Sequence, residues 1–190
     1  MGTRWILVAA GMIFAGMDAS ETGRGESKPK GADKVRAKEG EKGMRWNYPE
    51  QQDLFVGKSL LGDMWTAAHS GGSFCSQRFS RFGELFCYVK TDGSVDLSAE
   101  KFTDKAAIED ALDAALKASG TGAVVGGGTG LRYSYVDLAL TDPDKGIHEV
   151  VDVLRKGNMV KRTWILFFDD IYRSEWVGVR DDSPAPPGME

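Results

Sequence analysis

Residues 131–170 constrain the fold more than any other part of the chain, because they read in order as strand, capped helix and strand. Along the first piece Ser134, Val136, Leu138 and Leu140 share one face, and Tyr133, Tyr135, Asp137 and Ala139 share the other, since side chains alternate along a strand. In the second piece Ile147, Val150, Val151 and Leu154 fall at the spacing of one helix face. Asp142 is placed to cap the first amides, Pro143 fits the first helical position, and Gly157 offers a left-handed residue to end the helix. The third piece, 164–168, is apolar on both faces, as a central strand covered on two sides would be.

A second helix is predicted near 103–120. Ile108, Ala111, Leu112, Ala115 and Leu116 form its buried stripe, Thr103 is placed to cap it, and Ser119-Gly120 closes it. Between the two helices lies Gly-Ala-Val-Val-Gly-Gly-Gly-Thr-Gly at 122–130. These glycines do not make a phosphate site: no Lys-Ser or Lys-Thr follows, no Gly-x-Gly-x-x-Gly frame fits, and a strand rather than a helix N-terminus comes next. They predict a strand over 123–125 that turns through a flexible glycine loop into the strand 131–141.

From Phe86 onward the order is therefore strand, helix, strand, strand, helix, strand. It resembles, in topology only, the ferredoxin-like split β-α-β arrangement of the α+β class, with two helices on one sheet face. The other face would present Phe86, Tyr88, Tyr133 and Tyr135 and one side of 164–168, too apolar to stand bare. The segment 46–70, a second subunit or a ligand must cover it. Within that segment Leu60, Leu61, Met64, Trp65 and Ala68 predict a short helix near 59–69.

Residues 74–90 read as two short strands about Arg81-Phe82-Gly83, an N-terminal hairpin that sets Cys75 opposite Cys87. Cross-strand β-carbons lie about 4.5 to 5.5 Å apart, close to what a disulfide needs. These are the chain's two cysteines, so a bridge is expected in an oxidising compartment, with buried thiols as the alternative.

The compartment is suggested by residues 1–19, which resemble an export signal: Arg4, then an uncharged apolar run from Trp5 to Met17. That run is shorter than the ~20 residues a membrane span takes and suits a signal-peptide core. The expected location is periplasmic or extracellular; left uncleaved, the segment would be a short membrane anchor. Residues 20–45 carry eight Lys or Arg against five Asp or Glu and almost no large apolar side chains, which predicts a disordered linker. A single domain then spans 46–180, and 181–190, acidic and proline-rich, is expected to trail off it. From 46 to the end there are fifteen basic and twenty-two acidic residues, a balance that disfavours nucleic acid.

No motif implies a cofactor or a metal. The first functional expectation is a binding or protein-interaction module that uses Tyr88, Tyr133, Tyr135 and Asp137 on the open sheet face, toward an unknown protein, a small molecule or a second copy of the chain. The alternative is a small hydrolase or metal-assisted enzyme, built from His148 or His69 with Asp169, Asp170 or Glu175 just past a buried strand.

Overall fold

The computed structural model of the chain describes residues 4–8, 55–93 and 101–189. The predicted linker, 20–45, and most of the predicted export signal, 1–19, lie outside the described residues. Six strands form an open antiparallel sheet in the order β2-β4-β5-β3-β6-β7: β2 is Phe55–Ser59, β3 Leu85–Asp92, β4 Gly122–Gly130, β5 Tyr133–Leu140, β6 Thr163–Phe167 and β7 Trp176–Gly178. Arg4–Val8, β1, adds to the outer side of β2 with Arg4 opposite Ser59. Among the described residues three α-helices accompany the sheet: α1, Gly62–His69; α2, Lys105–Ser119; and α3, Pro143–Lys156. The fold class is α+β.

The two long helices cover one face. Ile108, Leu112 and Leu116 of α2 and Val150 and Leu154 of α3 pack on Cys87, Val89, Val136, Leu138, Leu140 and Ile165, most of them fully buried. Each such side chain contributes about 1.5 to 3 kcal/mol by leaving water, so this layer carries most of the core. Asp142 caps α3 as expected, its carboxylate accepting the Lys145 N–H at 3.2 Å. At α2 the cap is Asp104, which accepts the Ala107 N–H at 2.9 Å, rather than Thr103 one residue earlier.

The end of α3 also differs from expectation. Gly157 keeps right-handed angles, and Asn158 takes the left-handed turn at φ 57°. Gly157 is needed for space: a β-carbon there would run into the Phe102 ring.

Three further expectations are corrected. The glycine run is a strand rather than a flexible loop, β4 being hydrogen-bonded between β2 and β5 with a register shift between Val124 and Gly126. Flanking strands satisfy its amides and carbonyls on both sides, which outweighs the low strand propensity of glycine. The hairpin at 74–90 does not form, because residues 76–78 make a 3₁₀ turn held by Asp169. Cys75 is accordingly exposed and Cys87 fully buried beneath α2 and α3, and the two are unpaired thiols.

The third concerns residues 181–189, which have no helix or strand but do not trail away. The Trp164 indole N–H donates to the Pro184 carbonyl at 2.6 Å, and Met189 packs against the cluster of Tyr133, Trp164 and Leu166.

Candidate functional site

The second face of the sheet is where the residues predicted to bind come together. Strand register places Gly126 opposite Asp137, Asp137 opposite Tyr88 and Tyr88 opposite Leu166, so these four form one row across β4, β5, β3 and β6. The next row is Gly128, Tyr135, Lys90 and Trp164. Ring centroids of Tyr88 and Tyr135 lie 6.3 Å apart, those of Tyr133 and Tyr135 6.5 Å, and Tyr88 meets Phe168 at 4.7 Å. These spacings are those of favourable aromatic pairs.

The face is roofed rather than open. Met64 of α1 packs on Phe74, Phe86, Val125 and Ala139, and Trp65 lies over β2, where a β-carbon on Gly57 would come 3.0 Å from the indole. Residues 61–69, the described helical part of the segment 46–70 that was one of the three expectations, therefore supply part of the cover, and residues 184–189 supply another part. α1 has eight residues and no side chain caps its N-terminus at Leu61, but it buries Met64 and Trp65 almost completely.

Asp137 is the unusual member. It is only 3% exposed, and its Oδ2 has no hydrogen-bond partner among the described residues. A β-carbon on Gly126 would fall 2.9 Å from that oxygen and 2.7 Å from the Lys58 carbonyl, so only glycine lets the carboxyl lie against β4. Burial pushes the Asp137 carboxyl up to about 7; the Lys105 ammonium opposes this and the Glu109 carboxylate adds to it. Burial, helped by the Asp137 charge, likewise raises the Tyr88 phenol to about 12. Glu109 reaches this region from α2, nearly buried and held by Lys58 at 2.9 Å and by Lys105. An acid that is half ionised near neutral pH and sits beside aromatic rings can hold a cation or donate a proton.

One end of the face closes in a cationic corner that the sequence did not reveal. Asp92, fully buried at the end of β3, accepts from Arg162 Nε at 2.6 Å and Arg132 Nη2 at 3.0 Å. Lys90 Nζ lies 4.0 Å from the Tyr133 ring centroid, and the Arg162 guanidinium 5.5 Å from that of Trp164. The Asp92-Gly93 pair thus anchors two arginines from different loops.

The residues of the enzymatic alternative are dispersed or engaged. His148 is exposed on α3, its Nδ1 2.6 Å from the Asp144 carbonyl. His69 ends α1, stacked on Trp65 at 4.2 Å, edge-on to Phe168, and bonded through Nδ1 to the Trp65 carbonyl at 2.8 Å. Burial lowers the His69 pKa, while that carbonyl raises it.

Asp169 accepts both the Ser76 N–H, at 2.7 Å, and the Ser76 hydroxyl, whose oxygen in turn accepts the Phe86 N–H. Asp170 accepts the Ser73 hydroxyl, the Phe74 N–H and an Arg173 N–H, and the Ser73 bond leads in holding its carboxyl below the usual range. Glu175 is exposed. Both aspartates thus pin the 73–76 segment to the end of β6. Among the described residues no group of three or more His, Cys, Asp or Glu is arranged to hold a metal ion. No protein family, curated protein or solved structure matches this chain.

Proposed function

We propose that the protein is an exported binding module, and that its aromatic sheet face around Tyr88, Tyr133, Tyr135 and Asp137 takes a small aromatic amine when α1 lifts. On this reading β3 to β6 form a ferredoxin-like core to which β2, β7 and α1 are additions, and α1 serves as the lid. The observation that carries the proposal is the carboxyl of Asp137, buried beside Tyr88 with one oxygen unpartnered among the described residues. A buried polar atom without a partner costs about 1 to 3 kcal/mol, and an ammonium or amine N–H would remove that cost. The tyrosine rings add aromatic contact and attraction for a cation.

Saturation-transfer NMR with a panel of small aromatic primary amines, and their isosteric alcohols as controls, tests this. Amines should bind the wild-type chain and the alcohols should not, with Asp137→Asn abolishing the difference. Amine affinity should also rise as pH passes upward through about 7, where the carboxyl ionises. Equal binding of amines and alcohols, or amine binding unchanged in Asp137→Asn, would contradict the proposal. Export is tested separately by N-terminal sequencing of protein recovered from the medium or periplasm, which should begin at or near Ser20.

A further inference from the structure

The row of the second sheet face next to Tyr88 and Asp137 carries small side chains. Register sets Phe86 opposite Ala139 and Ala139 opposite Ala123. With two alanines on its floor, this row leaves a groove of about 450 Å³ between Leu61 at the start of α1 and Phe79. Small-molecule sites commonly measure about 300 to 1,000 Å³. The groove also has apolar lips: Phe82, next to Arg81 in the chain, is 82% exposed, and Leu60, next to Leu61, is 70% exposed. A trough of this make-up suits a hydrocarbon chain, which gains by leaving water along its whole length.

The rim is cationic. It carries Arg81 and Lys117, and the one carboxylate of the lining, Glu84, is turned to its own loop. Glu84 Oε2 accepts from the Ser80 hydroxyl at 2.7 Å, the Phe82 N–H at 2.8 Å and the Arg81 N–H at 2.9 Å. Ser80 Oγ accepts the Gly83 N–H at 2.7 Å, and Gly83 supplies the left-handed residue at φ 84°, so the loop is fixed. Lys117 is shared with Asp113 Oδ2 at 2.5 Å. The Arg81 guanidinium, in contrast, is exposed and has no hydrogen-bond or ion-pair partner among the described residues. A planar guanidinium held by a fixed loop at the mouth of an apolar groove matches a carboxylate at the end of an alkyl chain.

We infer that this groove binds an anionic amphiphile of the fatty-acid class, its chain lying on Ala123, Ala139 and Phe86 and its carboxylate paired with Arg81. The inference does not rest on the amine reading of the neighbouring row, whose ligand carries the opposite charge.

Amide shift titration of nitrogen-labelled protein with octanoate, octanol and octylamine, each below the concentration at which it forms micelles, is the test. Octanoate should move the amides of Arg81, Gly83 and Ala123 and bind about tenfold more tightly than octanol, the effect of a charge-assisted hydrogen bond. Affinity should rise about fourfold per added methylene from hexanoate to octanoate as the chain is buried. Arg81→Gln, at an exposed position, should fold normally and lose the preference for octanoate over octanol. Arg81→Glu should transfer the preference to octylamine at the same amides, a reversal that a merely structural role for Arg81 would not produce. Ala123→Leu, which fills the groove, should abolish binding there, whereas Asp137→Asn should leave octanoate binding unchanged.

Should Ala123→Leu fail to fold, the chain-length series on the wild-type protein takes its place, since an affinity that does not grow with the chain excludes its burial. Absence of octanoate shifts at these amides, equal affinity for octanoate and octanol, a preference that survives Arg81→Gln, or loss of octanoate binding in Asp137→Asn would overturn the inference. Binding to vesicles of anionic phospholipid without binding to monomeric octanoate would overturn it too, by making the patch a membrane contact.

Discussion

The strands β3 and β5 contribute Cys87, Val89, Val136, Leu138 and Leu140 to one side of the sheet, and Phe86, Tyr88, Tyr133, Tyr135 and Asp137 to the other. The first side is an aliphatic layer closed by two long capped helices. The second is aromatic, contains a buried carboxyl, and is closed by a helix of eight residues and an irregular C-terminal segment. Both sides are covered, with Tyr88 and Tyr135 of the second half-buried, yet only the first is covered by elements whose ends are marked by local signals of their own. The cover of the second side is α1, which buries Met64 and Trp65 but has no side-chain cap, together with residues 184–189.

Mutations should separate the two faces sharply. Leu138→Ala empties a fully buried site under α2 and α3 and should cost about 2 to 5 kcal/mol in denaturant unfolding. Asp137→Asn, one residue away on the opposite face, should instead stabilise the chain at pH 8. The folded-state carboxyl titrates near 7, above its ordinary value of 3.8. Between these values the native state holds a proton that the unfolded state has released. Wild-type stability from this group is therefore greatest below about pH 4 and falls until about pH 7. The shift corresponds to a few kcal/mol at about 1.4 kcal/mol per pH unit. The advantage of Asp137→Asn should grow across that window and level off above it; an advantage independent of pH would erase the contrast between the faces.

Gly126→Ala sharpens the comparison from the other strand. Its β-carbon would press on the Lys58 carbonyl and the Asp137 carboxyl, so melting should show a loss of about 1 to 3 kcal/mol, typical of overpacking.

Smaller effects follow for the cover and the thiols. Removing residues 183–190 deletes the Trp164–Pro184 hydrogen bond and the Met189 contact. About 0.5 to 1.5 kcal/mol should be lost for the bond, with a rise in dye binding to the uncovered aromatic face. Thiol labelling should modify Cys75 in the native protein and both cysteines only after unfolding, since Cys87 is buried and its thiol pKa is raised by that burial. A chain that takes up no label even when unfolded, until a reductant is added, would restore the bridge that the sequence suggested.

The aliphatic side was legible from the sequence because its signals are local. Ile147 to Leu154 and Ile108 to Leu116 announce their helices by spacing, and Asp142, Pro143 and Gly120 mark ends within a few residues. Alternation also placed Tyr88, Tyr133, Tyr135 and Asp137 on one face. What could not be read depends on distant partners. β4 has no side-chain period over its glycines, and its strand character comes from pairing with β5 on one side and, on the other, with β2, some seventy residues earlier in the chain. The 3₁₀ turn at 76–78 is imposed by Asp169, 93 residues away. Alternation said which way Asp137 points but not that Gly126, opposite it on β4, would leave its carboxyl room to lie against the strand.

The central claim is that the second face is organised around a buried acid with an unsatisfied oxygen, and the titration of Asp137 itself tests it. The carboxyl carbon of aspartate-labelled protein, assigned by its loss in Asp137→Asn, should be followed by NMR between about pH 3 and pH 9, a range that spans the ordinary aspartate value and neutrality. A midpoint near 7 is the predicted result. A midpoint near the ordinary aspartate value of about 4 would show that Asp137 is solvated or paired, and would contradict the account of the face built on it.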